Sequence, residues 1–233
     1  MKIQNFFQQV SLWSFFQPKQ LSFKEHDRVF YSKFNADSEF WENFTIEQQE
    51  ILGTPQFPLN EILKLKSSFN LIFDLGSGPG WLSEYLSGFG RQVFAIEPSP
   101  LANEIATHTI KSSNVTLIQE FAQDFLVSFK NRDSLSLFVS QSVLQHLSNR
   151  VVKEVLSSIN SFPNAYICFA EPYSEDLRFN FGTTNIRTSD WWSKHLSAYD
   201  LHFCGENVSH YFGAKIGKKI IRKGFYGKSK MIT

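Results

Sequence analysis

Phe73-Asp74-Leu75-Gly76-Ser77-Gly78-Pro79-Gly80-Trp81 is the stretch on which the fold turns. The apolar run Leu71 to Leu75 that leads into it reads as a short buried strand. Three glycines at alternate positions end that strand. Leu82, Tyr85 and Leu86 then fall on one face of a helix. Glycines let a ligand approach the backbone and allow a turn with positive φ. Free N–H groups at the helix start favour a negative group. The spacing is G-x-G-x-G, not the G-x-G-x-x-G of dinucleotide folds. Asp74 lies in the strand end, where an acid is costly unless a partner meets it. A ligand ammonium, reached directly or through water, would be such a partner.

Outward from this point the chain alternates strands and helices. Gln92–Glu97, Val115–Ile118, Leu135–Ser140 and Ala165–Ala170 are expected strands. Trp81–Phe89, Leu101–Thr109 and Val151–Ile159 are expected helices. This predicts an α/β fold with a mostly parallel sheet and helices on both faces. After a helix at Asp190–Tyr199, strands at Leu201–Cys204 and Tyr211–Ile216 follow one another closely. A short link requires antiparallel pairing, so seven strands with a terminal antiparallel hairpin are expected. Before the glycine turn, residues 1–53 are aromatic-rich and read as an N-terminal helical cap or lid. Thr54-Pro55 breaks the chain, and Leu59, Ile62, Leu63 and Leu65 form a short apolar stripe. The main domain is expected over 54–220. The acid-free, basic residues 221–233 read as a solvated tail.

The composition is that of a globular protein, 42% hydrophobic and 19% charged. The net charge of +1 gives no general pull toward nucleic acid or membrane. Cys168 and Cys204 sit in apolar stretches and read as buried free thiols, which points to a reducing, cytoplasmic setting. Polar glutamines interrupt the apolar N-terminus, so it is not read as a signal peptide, and no apolar run is long enough for a membrane helix.

A second acid, Glu97 before Pro98, ends the second strand, where a carboxylate can accept hydrogen bonds from both hydroxyls of a ribose. Asp74 to Gly80 and Glu97-Pro98 together resemble the two cofactor motifs of the class I S-adenosylmethionine-dependent methyltransferases. After strand four, Ser142-Val143-Leu144-Gln145-His146-Leu147 is similar to the S-x-L-E-H-L of many small-molecule members. The resemblance covers about residues 70–217 and implies a Rossmann-like methyltransferase fold with S-adenosyl-L-methionine as cofactor. It implies that Asp74, Gly76, Ser77, Gly78, Gly80 and Trp81 cradle the cofactor, with Glu97 on its ribose. Its adenine is expected among Ile96, Pro98 and the loop Glu120-Phe121-Ala122. Phe121 stands near the slot where the family usually has an aspartate. Its methyl is expected to point toward Ser140 and Gln141. Some relatives hold magnesium through E-x-x-E-H. Ser142 and Gln145 replace both glutamates here, so no metal is expected.

The remaining candidates have two readings each. His146 reads as a general base, or as a helix-start histidine bonded to nearby backbone. Glu171 and Tyr173, after strand five, read as substrate-rim residues or as loop chemistry. Trp191 and Trp192 read as one core residue and one substrate wall. Tyr31 reads as part of the lid or as core. The expected partner is a small-molecule substrate with an oxygen or nitrogen acceptor, with a homodimer allowed and nucleic acid disfavoured. Two alternatives stand beside this: an NAD(P)-dependent Rossmann oxidoreductase, whose fingerprint spacing is missing, and a noncatalytic binding subunit of the same fold.

Overall fold

The computed structural model describes residues 59, 62, 63, 68–171, 173, 185–207 and 221–232. The expected cap, Tyr31 and the expected strand at 211–216 lie outside them. The described chain forms β1 (Phe69–Leu75), α1 (Trp81–Leu86), β2 (Gly90–Ile96), α2 (Pro100–Thr109), β3 (Val115–Ile118) and α3 (Ala122–Ser128). It continues through β4 (Ser136–Gln141), a 3-10 turn (Leu144–His146), α4 (Asn149–Ile159), β5 (Ala165–Ala170), α5 (Ser189–His195), β6 (Tyr199–Asn207) and β7 (Ile221–Ser229).

One seven-stranded sheet has the order β3-β2-β1-β4-β5-β7-β6. β1 pairs in parallel with both β2 and β4, so chain progression reverses beside it. A crevice at the carboxyl ends of the strands is the expected ligand position for such a reversal. β7 is antiparallel to β5 and to β6. The antiparallel hairpin is therefore as expected, but its last strand is not. It begins at Ile221, inside the stretch read as a tail, and lies within the sheet, with β6 at the edge. Alternating Phe225 and Gly227 explain this: Phe225 is fully buried, while a Cβ on Gly227 would stand 2.5 Å from the Asp200 carbonyl oxygen. Arg222, Lys223, Lys228 and Lys230 around these residues give the stretch the basic composition that reads as a tail.

Strand alternation divides the core between the two faces. Phe73, Ile96, Phe138, Ile167 and Phe169 pack with Val152, Val155, Leu156 and Trp192. Ile72, Val93, Leu137, Val139 and Cys168 pack with Leu59, Ile62 and Leu86. Phe73 is stacked on Phe138 at 4.7 Å and on Phe94 at 5.4 Å, with Phe129 and Phe162 edge-on. Each such pair adds about 0.5–1.5 kcal/mol beyond its buried area. Hydroxyl caps start three helices. Ser99 caps α2 with Pro100 at its first position, Ser148 caps α4 and Thr188 caps α5. α3 was not expected. It is short, has no side-chain cap, and its apolar run fits strand or helix equally.

Candidate active site at the carboxyl edge

The glycine turn hooks over the end of β2. The Gly76 and Ser77 amides both donate to the Ile96 carbonyl, at 2.8 and 3.1 Å. Gly76, Gly78 and Gly80 all have positive φ, at 73°, 51° and 85°. Two of them also serve packing. A Cβ on Gly76 would lie 2.5 Å from a Val143 methyl, and one on Gly80 would lie 2.7 Å from Ile110. The turn is thus pressed between the segment after β4 and the end of α2.

Asp74 is 1% exposed, and its Oδ2 accepts a 2.6 Å hydrogen bond from Ser83 Oγ on α1. Burial pushes its carboxyl up to about 7, the Ser83 bond opposes this, and the charge of Glu97 adds to it. Glu97 is also buried. Its Oε2 accepts from the Gly78 amide at 3.1 Å and its Oε1 from the Ser99 amide at 2.9 Å. Burial raises its carboxyl, and the two amides hold it back. Asn103 fixes the approach by donating to the carbonyls of Glu97 and Ser99, at 2.6 and 2.8 Å. No sequence signal had marked Asn103 or Ser83. Both became visible only as partners of the acids.

Two buried carboxylates so placed give a negative, dry corner suited to a cation and to hydroxyl donors. Beside it, Ser77 Oγ and Trp81 Nε1 are buried and have no hydrogen-bond partner among the described residues. Such orphans are uncommon in a protein alone and suit a ligand that brings polar atoms to the turn. At the end of β3, the Phe121 side chain is 38% exposed at the start of α3, beside exposed Glu120 and half-buried Ala122. Ile96 is buried beneath, and Pro98 is half-buried. The cofactor candidates on β1, β2 and β3 thus share the carboxyl edge.

Several candidates have other surroundings. Ser140 is fully buried, and its hydroxyl donates to Glu171 Oε1 at 2.7 Å. Glu171 is not at a rim. It is 0% exposed, and its carboxylate is occupied by Ser140 and by the amides of Val143, Leu144 and Gln145. A strand-end acid reads the same in sequence whether a ligand or a backbone turn meets it. Trp192 is core, packed on Phe169 and Phe225. Trp191 is half-buried between Arg187 and His195. Tyr173 is half-buried against Phe203. Gln141 is half-buried at the end of β4. His146 ends the 3-10 turn, half-buried, with its Nε2 at 3.1 Å from Gln145 Nε2. Cys168 is buried in β5. Among the described residues, no three His, Cys, Asp or Glu side chains group as metal ligands, and no helix is long and apolar enough to cross a membrane.

The seven-stranded sheet with its terminal antiparallel pair has the Rossmann-like arrangement of methyltransferases. Residues 72–162, from β1 to the loop after α4, match the family described as methyltransferase domain. Solved structures similar to the chain agree. A 1,6-didemethyltoxoflavin-N1-methyltransferase of Burkholderia thailandensis, with 1,6-didemethyltoxoflavin and S-adenosylhomocysteine bound, is 13% identical with a TM-score of 0.64, over 92% of this chain and 93% of its own. DhpI, in a complex with SAM and HEP, is 15% identical with a TM-score of 0.61, over 90% and 99%. A SAM-dependent methyltransferase of Anabaena variabilis is 14% identical with a TM-score of 0.60, over 92% and 98%. At these identities the likeness is one of fold. Among curated proteins, none matches the sequence.

Proposed function

We propose that this chain binds S-adenosyl-L-methionine at the glycine turn and transfers its methyl group to a small molecule with an oxygen or nitrogen acceptor. One observation carries the reading. At the reversal point of the sheet, two buried carboxylates, Asp74 and Glu97, converge on a turn whose Ser77 and Trp81 polar atoms lack partners among the described residues. The fold's other members seen with SAM or S-adenosylhomocysteine bound support it.

When bound, the cofactor supplies an electrophilic methyl group on a sulfonium. The chain's own residues do the rest. Asp74 meets the ammonium as a carboxylate, with Ser83 Oγ holding its second oxygen. Glu97 accepts the ribose hydroxyls, and Phe121 offers a flat apolar face to the adenine. Gln141 and Ser142, at the end of β4, border the acceptor side. His146 takes the proton that the acceptor gives up. Much of the acceleration comes from alignment and exclusion of water, because the transfer is an in-line displacement. The protein works in the cytoplasm, with a homodimer as a permitted state.

Calorimetric titration with S-adenosylhomocysteine, with NADH for comparison, tests the reading. Micromolar binding of the former alone is expected. A screen of hydroxylated and amine metabolites then identifies the acceptor. Binding of NADH alone would overturn the proposal in favour of an oxidoreductase.

A further inference from the structure

The segment after β4 is held in an unusual way. It begins at Ser142, which has a φ of 57° and is the described non-glycine residue with positive φ. Such strain persists only where the surroundings over-determine the backbone. Here they do so from both polarities. Glu171 Oε1 accepts from Val143 N at 2.9 Å and Leu144 N at 3.0 Å, and Oε2 accepts from Gln145 N at 3.0 Å. Arg187 takes the opposite end: Nη1 donates to the Leu144 carbonyl at 2.9 Å and Nη2 to the Leu147 carbonyl at 2.7 Å. Its Nε is fixed by Asn149 Oδ1 at 2.9 Å, and its plane lies over Trp191 at 4.9 Å. The Asn185 backbone amide adds a hydrogen bond to the Gln145 carbonyl at 2.6 Å.

Glu171 and Arg187 are 0% and 4% exposed, and the turn stands between them. Burying an acid and a base in this way costs more than an apolar filling of the same volume. What the arrangement secures is one backbone shape for residues 142–147, which bear His146 and the Val143 methyls that would meet a Cβ on Gly76.

We propose that Glu171 and Arg187 are positioning residues, which clamp the two ends of the turn after β4 and so set His146 at the acceptor side of the site. The role rests on the reading that transfer takes place at this edge. Neither side chain touches the acceptor; they act through the turn.

The test uses the full chain labelled with ¹⁵N, including the histidine rings, with S-adenosylhomocysteine as the probe. In Glu171→Gln, the new amide nitrogen cannot accept a bond from the turn. In Arg187→Lys, the fork that reaches two carbonyls is lost. Either variant is expected to move the imidazole ¹⁵N signals of His146. It should also speed amide exchange at Val143, Leu144 and Gln145 by at least about tenfold, with β1 and β5 as protected as before. Affinity for the probe stays within about threefold, because Asp74 and Glu97 are untouched. Ser140→Ala, which removes one donor from Glu171, gives the same pattern more weakly if the larger changes do not fold. Unchanged His146 signals, or exchange that rises evenly over the whole sheet, would overturn the positioning role and leave a purely structural pair. Failure of the unaltered chain to bind the probe would count against the methyltransferase reading instead, while the His146 and exchange results still decide whether the clamp sets the turn.

Discussion

At the scale of single residues, Asp74 decides most. Burial raises its carboxyl from the ordinary 3.8 to about 7. The folded state therefore holds this proton more tightly than the unfolded chain. The associated stability is fully present below about pH 4 and is lost as pH rises to about 7, by roughly 4 kcal/mol if the whole shift is counted. Asp74→Asn keeps the acceptor for Ser83 and removes the charge. We expect urea denaturation to show the variant more stable than the parent at pH 8, with the gap closing toward pH 4. The same variant should bind S-adenosylhomocysteine at least about tenfold more weakly. In the parent, affinity should rise between pH 6 and 7 and level off above, with proton release on binding seen as a buffer-dependent heat. A pH-independent affinity would separate Asp74 from the ligand. Gly76 offers a second test. With φ at 73° and Val143 2.5 Å from a new Cβ, Gly76→Ala should cost about 1–3 kcal/mol by chemical denaturation. A neutral result would mean that Val143 yields freely.

At the scale of elements, β7 carries the sharpest consequence. As a solvated tail, residues 221–233 could be cut away without harm. As the strand between β5 and β6, they bury Phe225 and supply the ladder to both neighbours. A chain ending at residue 220 is therefore expected to lose cooperative urea unfolding and native circular dichroism. A folded truncate would contradict the strand order. α2 and the glycine turn show a related dependence. Ser99 caps the helix, its amide holds Glu97, and Asn103 returns to the same loop, so one helix start shapes the Glu97 side of the site.

At the scale of the whole molecule, ligand binding and folding are coupled, because the corner between β1 and β2 exists only in the folded sheet. At a ligand concentration about a hundred times Kd, a ligand that binds the native state alone stabilises it by about 2.7 kcal/mol. For a chain of this size that corresponds to a rise in Tm of roughly 5–11 °C. Scanning fluorimetry with S-adenosylhomocysteine should show it, and NADH should not. A shift with NADH alone would favour the oxidoreductase. The same sheet carries the site: Asp74, the glycine turn, Glu97 and Gln141 all stand at or just beyond the ends of strands β1, β2 and β4.

The sequence by itself determined the local grammar. Leu71 to Trp81 could only be strand, turn and helix, because three alternate glycines after an apolar run leave no other regular structure. Glu97 was legible for the same reason, as an acid that ends an apolar strand. The mostly parallel sheet and the antiparallel hairpin followed from that alternation and from the family resemblance, whereas the order of strands within the sheet did not. What only the tertiary structure decided was the use of each polar group. Glu171 and Glu97 look alike in sequence, each an acid before a proline at a strand end. One is saturated by the turn after β4 and the other stands beside the glycine turn, because their neighbours come from residues far along the chain. Long-range hydrogen bonds and burial set those roles, and no local pattern encodes which distant amide will reach which carboxylate.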